Sequence, residues 1–355
     1  MKKISFIIND LGPGGAQRVC GNLIDKLKDK YKVFLLLCNR YNDVYSKEYD
    51  FSSITVIDFD KKKKIEIYKP LTKVLREEKF DLVFTFGPEL AMLSTKIIKK
   101  YKLGTKVISR CINTLSIEFE NASFVRRHIY FPLIKKNYKK TDLIIAQSIG
   151  MQEDLVSNIH VPSSKIVVIN NPVNEKFTYN PNQARENCMV YAGRLEQQKN
   201  VLDLLKAVDD ELLKQYKLYI IGDGSLKETL TQYATDKKLN VEFVPFTHNI
   251  VEFYQKAKCV VLSSLFEGFP NTLIEAISCG TPVVSYDCPS GPKEIITSDN
   301  GLLVEYKNVE NLKQKLIECI SKDWDYEKVR ESSLKYDSKI IIKKYLEVIE
   351  EILNN

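Results

Sequence analysis

The sequence predicts an α/β fold made of two parallel sheets, each sandwiched between helices. Three observations carry this prediction. Short runs rich in Val, Ile and Leu alternate with longer amphipathic stretches along the chain. The alternation breaks at Asn170-Asn171-Pro172-Val173-Asn174, stays polar to Asn187, and then restarts. The length of 355 residues is enough for two domains with separate cores.

In the first half, strands are expected at 4–8, 32–38, 54–59, 82–86, 106–109, 143–147 and 166–169. Helices are expected at 15–28, 65–78, 89–100 and 124–138. After the break come strands at 189–192, 217–221, 241–244, 259–262 and 283–286. Helices at 201–210, 225–237, 250–256 and 271–278 separate them, and a last helix covers about 338–353. The domain division is therefore 1–171, a linker at 172–187, and 188–337, with 338–355 as a closing helix.

Composition excludes several classes. No apolar run approaches the ~20 residues that span a bilayer. The opening Met1-Lys2-Lys3 followed by Ile4 to Ile8 imitates a signal peptide, but the apolar run is too short and reads as a strand. Eight cysteines are scattered without a C-x-x-C pair, which suggests reduced, cytosolic thiols. The three histidines, His128, His160 and His248, lack metal-ligand spacing. Charge is uneven: residues 1–170 carry a net +12 and residues 171–355 a net −5, giving +7 overall. A basic half suggests an anionic partner such as a membrane leaflet, a phosphorylated lipid or a nucleic acid. Lysine-rich proteomes produce the same excess without any partner.

The most informative stretch is Glu267-Gly268-Phe269-Pro270-Asn271-Thr272-Leu273-Ile274-Glu275. Two carboxylates stand eight residues apart across a Gly-Phe-Pro turn. A strand precedes the turn and a helix follows it. Glu267 is thus placed at the C-terminal end of a strand, where open α/β sheets bind ligands. Asn271 or Thr272 is expected to cap the helix, whose first N–H groups form an anion site. Glu275 falls one turn further on. The arrangement suits a ligand with a phosphate between hydroxyl-rich parts, as in a nucleotide sugar.

Here the chain resembles the retaining glycosyltransferases of family 4, in the branch that builds bacterial surface polysaccharides. Glu267 and Glu275 match the family's E-x7-E motif, within EGFPNTLIEAISCGTPVVSYDCPSGPKEII. The resemblance implies the GT-B fold: two Rossmann-like domains facing across a cleft, the C-terminal helix crossing back to the first. It implies a UDP-sugar donor, a hexose or N-acetylhexosamine transferred with retention, and a lipid-diphosphate-linked acceptor glycan. It also implies no metal or other cofactor, no nucleic-acid partner, and a place on the inner face of the cell membrane.

The other motifs are read in that light. Gly193-Arg194-Leu195-Glu196-Gln197-Gln198-Lys199-Asn200 follows a strand and precedes a helix. Arg194 and Lys199 supply two cations suited to a departing diphosphate, and family members use this G-R-x4-K pattern for that purpose. Gly222-Asp223-Gly224 follows a strand; the resemblance places it with Phe246-Thr247 around the nucleobase, while the residues alone also fit a plain turn. Leu11-Gly12-Pro13-Gly14-Gly15-Ala16-Gln17-Arg18 imitates a dinucleotide fingerprint. Gln17 replaces its third small residue, and Asn39-Arg40 replaces the ribose-binding acid. Gly14 and Gly15 are instead expected to bring backbone N–H groups to the donor phosphate. Arg40 could meet a 2′-phosphate, so an NADP-dependent reductase stays as an alternative.

Asp58-Phe59-Asp60 is a D-x-D, but Lys61–Lys64 follow it and disfavour a cation site. Ser109-Arg110-Cys111-Ile112-Asn113 lacks the histidine that many relatives place near the donor sugar; Arg110 or Asn113 is expected to contact sugar or acceptor. Residues 126–140 mix basic and aromatic side chains, which suits either an interfacial helix or a core-facing helix with solvated lysines. Glu267, Arg194 and Lys199 are the expected catalytic set. Gly14, Gly15, Gly222, Asn271, Thr272, Leu273 and Glu275 join Arg194 and Lys199 in donor binding. A non-catalytic scaffold of the same fold is the remaining alternative.

Overall fold

The computed structural model describes every residue except Pro13, Tyr41, Asn42, Tyr45, Lys47, Asn121, His248 and Asn355. Pro13 of the glycine-rich turn and His248 of the histidine set therefore lie outside the described residues. The chain forms two compact units: Met1–Asn171 with Lys339–Asn355, and Pro172–Ser338.

The first unit holds a seven-stranded parallel sheet ordered β3-β2-β1-β4-β5-β6-β7. Its strands are β1 (Lys3–Ile8), β2 (Lys32–Leu37), β3 (Thr55–Asp58), β4 (Leu82–Phe86), β5 (Lys106–Arg110), β6 (Leu143–Ala146) and β7 (Ile166–Val168). Helices cover both faces, so the strands are apolar on both sides. Ile4, Phe6 and Ile8 enter one core, and Ile7 enters the other. The order reverses between β1 and β4, so the loops after those strands flank the switch point, where open sheets hold ligands.

The second unit holds a six-stranded parallel sheet ordered β10-β9-β8-β11-β12-β13. Its strands are β8 (Cys188–Ala192), β9 (Lys217–Ile221), β10 (Val241–Val244), β11 (Cys259–Leu262), β12 (Val283–Tyr286) and β13 (Gly301–Val304). Its switch point lies between β8 and β11, the strands that precede the Gly193–Asn200 loop and the Glu267 loop.

Three expected helices are shorter than the periodicity suggested: 201–210 ends at Ala207, and proline explains the other two. Residues 64–67 form a 3-10 turn, and the α-helix is Tyr68–Glu78. A helix from 65 would place Pro70 in its second turn, where the missing N–H breaks a bond; starting at Tyr68 keeps Pro70 in the first turn. Residues 126–130 form a π-turn in which Phe131 N–H bonds to the Arg126 carbonyl, and the α-helix is Phe131–Tyr138. Pro132 cannot donate to the carbonyl four residues back, and the backbone widens there.

The final helix, Ser338–Asn354, packs on the first unit. Ile341, Ile342, Tyr345 and Ile349 join the core formed by β1, β2 and β4. The stretch 172–187, expected as a linker, is itself fastened to the second unit. Val173 N–H bonds to the Tyr336 carbonyl at 2.9 Å. Arg185 donates to the carbonyls of Tyr254 (2.9 Å), Ala257 (3.2 Å), Cys279 (3.2 Å) and Gly280 (2.9 Å), and to Thr281 Oγ1 (2.6 Å). All eight cysteines are buried free thiols.

Candidate functional site

In the second unit, the loops after β8 and β11 are stitched together. Leu265 N–H bonds to the Gln198 carbonyl at 2.8 Å, and Gln198 Nε2 to the Phe266 carbonyl at 2.8 Å. Ser263 Oγ donates to the Lys199 carbonyl at 3.1 Å. This stitching brings Lys199 Nζ within 2.5 Å of Glu267 Oε1, a charge-assisted hydrogen bond. The side chains are 17% and 9% exposed, so water screens the pair weakly. Glu267 N–H in turn bonds to the Pro289 carbonyl at 3.3 Å.

Arg194, on the same loop, is exposed and makes no ion pair among the described residues. Its own backbone is fixed: its carbonyl accepts from Tyr191 Oη at 3.1 Å. Burial, with the Glu267 charge adding to it, pushes the Tyr191 phenol far up, so it remains a donor at any ordinary pH. One end of the loop is therefore rigid while its guanidinium is available to a ligand.

The helix Asn271–Ser278 starts where expected, but its capping differs. Pro270 is the residue before the first turn, Asn271 is inside the helix, and no side chain caps it. Thr272 is occupied elsewhere, donating Oγ1 to the Ala192 carbonyl at 3.2 Å. That bond ties the helix start to the end of β8. Leu273 is fully buried, and its backbone N–H already donates to the Pro270 carbonyl at 3.2 Å. Glu275 lies one turn further along and is half-buried. Burial and then the Glu275 charge push the Cys279 thiol up to about 12.

Gly222 and Gly224 serve close packing. Gly222 has φ +142°, and a Cβ there would lie 2.1 Å from the Gly193 carbonyl oxygen. The turn after β9 is thus pressed against the 193–195 backbone, with Leu195 N–H bonded to the Asp223 carbonyl at 2.8 Å. Gly222→Ala should cost more than ~3 kcal/mol through this clash and the left-handed φ. Chemical denaturation would read that loss.

In the first unit, the glycine-rich turn is organised by Asp10. Its Oδ1 accepts from Gly12 N–H at 2.9 Å and from Gln17 Nε2 at 3.1 Å. Gln17, which spoils the dinucleotide fingerprint, sits against Gly14: a Cβ on Gly14 would meet Gln17 Oε1 at 2.4 Å. Gly15 opens the helix Gly15–Leu27, again without a side-chain cap. Asp58 accepts from Asp60 N–H at 2.8 Å and faces Arg40 at 3.9 Å, so the D-x-D and Arg40 are engaged with one another.

Arg110 is a correction. It was expected to face sugar or acceptor, but it is 1% exposed. Its Nε donates to Tyr345 Oη at 2.9 Å and an Nη to Asn171 Oδ1 at 2.5 Å. It is a buried tie between β5, the end of the first unit's main segment and the final helix. Asn113 stays near the surface, donating Nδ2 to Glu118 Oε2 at 3.3 Å. Glu118 shares Arg126 with Glu89, at 3.4 and 3.0 Å, and Lys64 reaches Glu89 at 3.2 Å. Burial and then the Glu89 charge raise Glu118. Burial also pushes Glu89 up, but Lys64 and Arg126 outweigh it and hold that carboxyl below its ordinary value. This network joins the helical segments that follow β3, β4 and β5, and sequence spacing gave no sign of it.

The comparisons with known proteins follow this geometry. The signature described as Glycosyltransferase Family 4 matches residues 13–177, and that described as Glycosyl transferases group 1 matches residues 173–336. An N-acetylgalactosamine-N,N'-diacetylbacillosaminyl-diphospho-undecaprenol 4-alpha-N-acetylgalactosaminyltransferase of Campylobacter jejuni is 31% identical, with 91% of each chain covered. A second enzyme of that organism, a GalNAc-alpha-(1->4)-GalNAc-alpha-(1->3)-diNAcBac-PP-undecaprenol alpha-1,4-N-acetyl-D-galactosaminyltransferase, is 26% identical over all of both chains. Among solved structures, HepE of Anabaena in complex with UDP shares the fold at a TM-score of 0.81 and 18% identity, covering 99% of this chain and 100% of that one. The reductase alternative falls with these matches. The chain belongs to the GT-B glycosyltransferases.

Proposed function

We propose that the chain is a retaining, metal-independent hexosyltransferase. It moves a hexose or N-acetylhexosamine from a UDP-sugar to a lipid-diphosphate-linked glycan, working on the cytoplasmic face of the membrane. The observation that carries this reading is the Lys199–Glu267 contact beside a helix start without a side-chain cap. Arg194 is exposed on the same loop. The lipid-diphosphate acceptor is supported by the names of the Campylobacter relatives. The UDP donor is supported by the fold shared with UDP-bound HepE.

In the proposed reaction the bond between the anomeric carbon and the diphosphate oxygen breaks. A bond from the acceptor oxygen to the same face of that carbon forms, and the leaving phosphate takes the acceptor's proton. Negative charge grows on the diphosphate. Arg194, Lys199 and the first N–H groups of Asn271–Ser278 stabilise it, which supplies the positive charge a metal would otherwise bring. Glu275 holds the ribose hydroxyls. Glu267 orients the sugar and faces the positive charge that develops at its anomeric carbon. The two glutamates are not a glycosidase pair, because Glu275 is committed to ribose. Gly14 and Gly15 bring backbone N–H groups to the donor phosphate.

Titration with UDP in EDTA, followed by thermal unfolding, tests this reading. UDP at ~100 times its dissociation constant should add ~2.7 kcal/mol, and Arg194→Ala should weaken UDP about tenfold or more, as loss of a charged hydrogen-bond donor does. A UDP effect that requires a divalent metal would refute metal independence. No UDP effect at all would favour the non-catalytic scaffold.

A further inference from the structure

The peptide group between Phe266 and Glu267 is gripped at both ends. It is planar, so its carbonyl oxygen and its N–H turn together. The oxygen, on Phe266, accepts from Gln198 Nε2 at 2.8 Å. The N–H, on Glu267, bonds to the Pro289 carbonyl at 3.3 Å. The plane from which the Glu267 side chain departs is therefore held against rotation.

Gln198 holds this loop twice. Its backbone carbonyl accepts from Leu265 N–H at 2.8 Å while its side chain reaches Phe266. Leu265 is fastened from the other side too, its carbonyl accepting from Tyr306 Oη at 2.9 Å. Gln198 stands one residue before Lys199, and Phe266 one residue before Glu267. The double grip thus adjoins the 2.5 Å contact between Lys199 Nζ and Glu267 Oε1. The lysine's own backbone is fixed as well. Gln197–Lys199 is a 3-10 turn ended by Asn200 at φ +48°, and the Lys199 carbonyl accepts from Ser263 Oγ at 3.1 Å.

Two of the grips run from backbone to backbone and survive any side-chain change at 198. The Gln198 Nε2 bond does not. Phe266 is only 9% exposed, so water is a poor substitute donor for its carbonyl. Asn would fall one methylene short, and Met would match the length without an N–H. In the G-R-x4-K pattern, position 198 is one of the four unspecified residues, yet its amide settles the peptide plane that carries the carboxylate.

We propose that Gln198 is a positioning residue for transfer, acting through Glu267: its side-chain amide clamps the Phe266–Glu267 peptide and thereby aims the carboxylate. The inference rests on the roles proposed above for Lys199 and Glu267. A shift of about 1 Å in a catalytic group can cost about 100-fold in rate, and release of this peptide is a shift of that order.

Steady-state UDP release tests it in Gln198→Met, Glu267→Gln and the double variant. The donors are UDP-glucose, UDP-galactose and their N-acetylamino counterparts, with a lipid extract carrying diphosphate-linked glycans as acceptor. Gln198→Met should lower kcat about 10- to 100-fold and leave the donor KM and the UDP-induced thermal shift nearly unchanged. A residue that merely supported the fold would not split kcat from KM in this way. In the Glu267→Gln background, Gln198→Met should remove no more than about another twofold, because groups that act through one another are not additive. A parent-like kcat in Gln198→Met, with Glu267→Gln impaired, would overturn the positioning role and leave the transferase reading standing. Losses that multiply in the double variant would overturn it too, since Gln198 would then act apart from Glu267. Loss of the UDP shift in both Gln198→Met and Gln198→Ala would make Gln198 a part of donor-site folding instead. Full activity in Glu267→Gln would sink the proposed role of the carboxylate itself, a failure distinct from the others.

Discussion

Glu267→Gln is expected to lower kcat by about 100- to 1000-fold while leaving UDP affinity nearly unchanged. The amide keeps an acceptor for Lys199, 2.5 Å away, so the loop should retain its shape. What disappears is the negative charge that, in the proposed roles, faces the sugar. Lys199→Ala should cost a similar factor in kcat and should also weaken UDP, because in the proposed roles the lysine meets the diphosphate. It also leaves the Glu267 carboxylate, 9% exposed, without its close cation. In the double variant the losses should fall well short of additive, since two groups in contact act as one unit. Steady-state kinetics on the four proteins, with UDP titrations beside them, would show this. Full activity in Glu267→Gln would remove the carboxylate from the mechanism.

Arg185→Ala should destabilise the protein by ~3–5 kcal/mol, the largest stability effect expected at a single side chain here. One guanidinium satisfies carbonyls at the ends of two helices: Tyr254 in the last turn of Ile250–Lys256 and Ala257 just after it, and Cys279 and Gly280 after Asn271–Ser278. It also stacks on Tyr326, 4.5 Å from the ring centroid. Truncation leaves those carbonyls short of a donor and removes a cation from two negative helix ends. Arg185→Lys should recover less than half of the loss, because an ammonium cannot fork across both ends. Urea unfolding of the three proteins gives the comparison. Equal stability of Arg185→Ala and the parent would show that water replaces the guanidinium.

The sequence revealed the sheets more fully than it revealed the site. Strands buried on both faces, such as Phe34–Leu37, write themselves as continuous apolar runs. The Gly193–Asn200 loop and the Glu267 turn were legible because their charged residues stand next to strand ends. Arg110 was misread for the same reason: it ends β5, but its direction is set by Tyr345, 235 residues away. The Thr272 bond to the Ala192 carbonyl and the Glu89–Glu118 network are likewise long-range, and no local pattern announces them. The helix Val309–Ser321 could have been found. Asn308 caps it through Asn311 N–H, and Leu312, Leu316 and Cys319 mark its buried face. The two helices shortened by proline teach a similar lesson, since Pro70 and Pro132 were in plain view and outweigh apolar periodicity.

The tie between Arg110, Asn171 and Tyr345 sets an order of assembly. During synthesis the first unit's sheet is completed long before residues 339–355 exist. Until they arrive, Arg110 lacks its Tyr345 partner, and the core around Ile4, Phe6 and Leu35 is open where Ile341, Ile342 and Ile349 will sit. The second unit is contiguous from Pro172 to Ser338 and can close first. The half of the protein that is made first is therefore the half that is finished last.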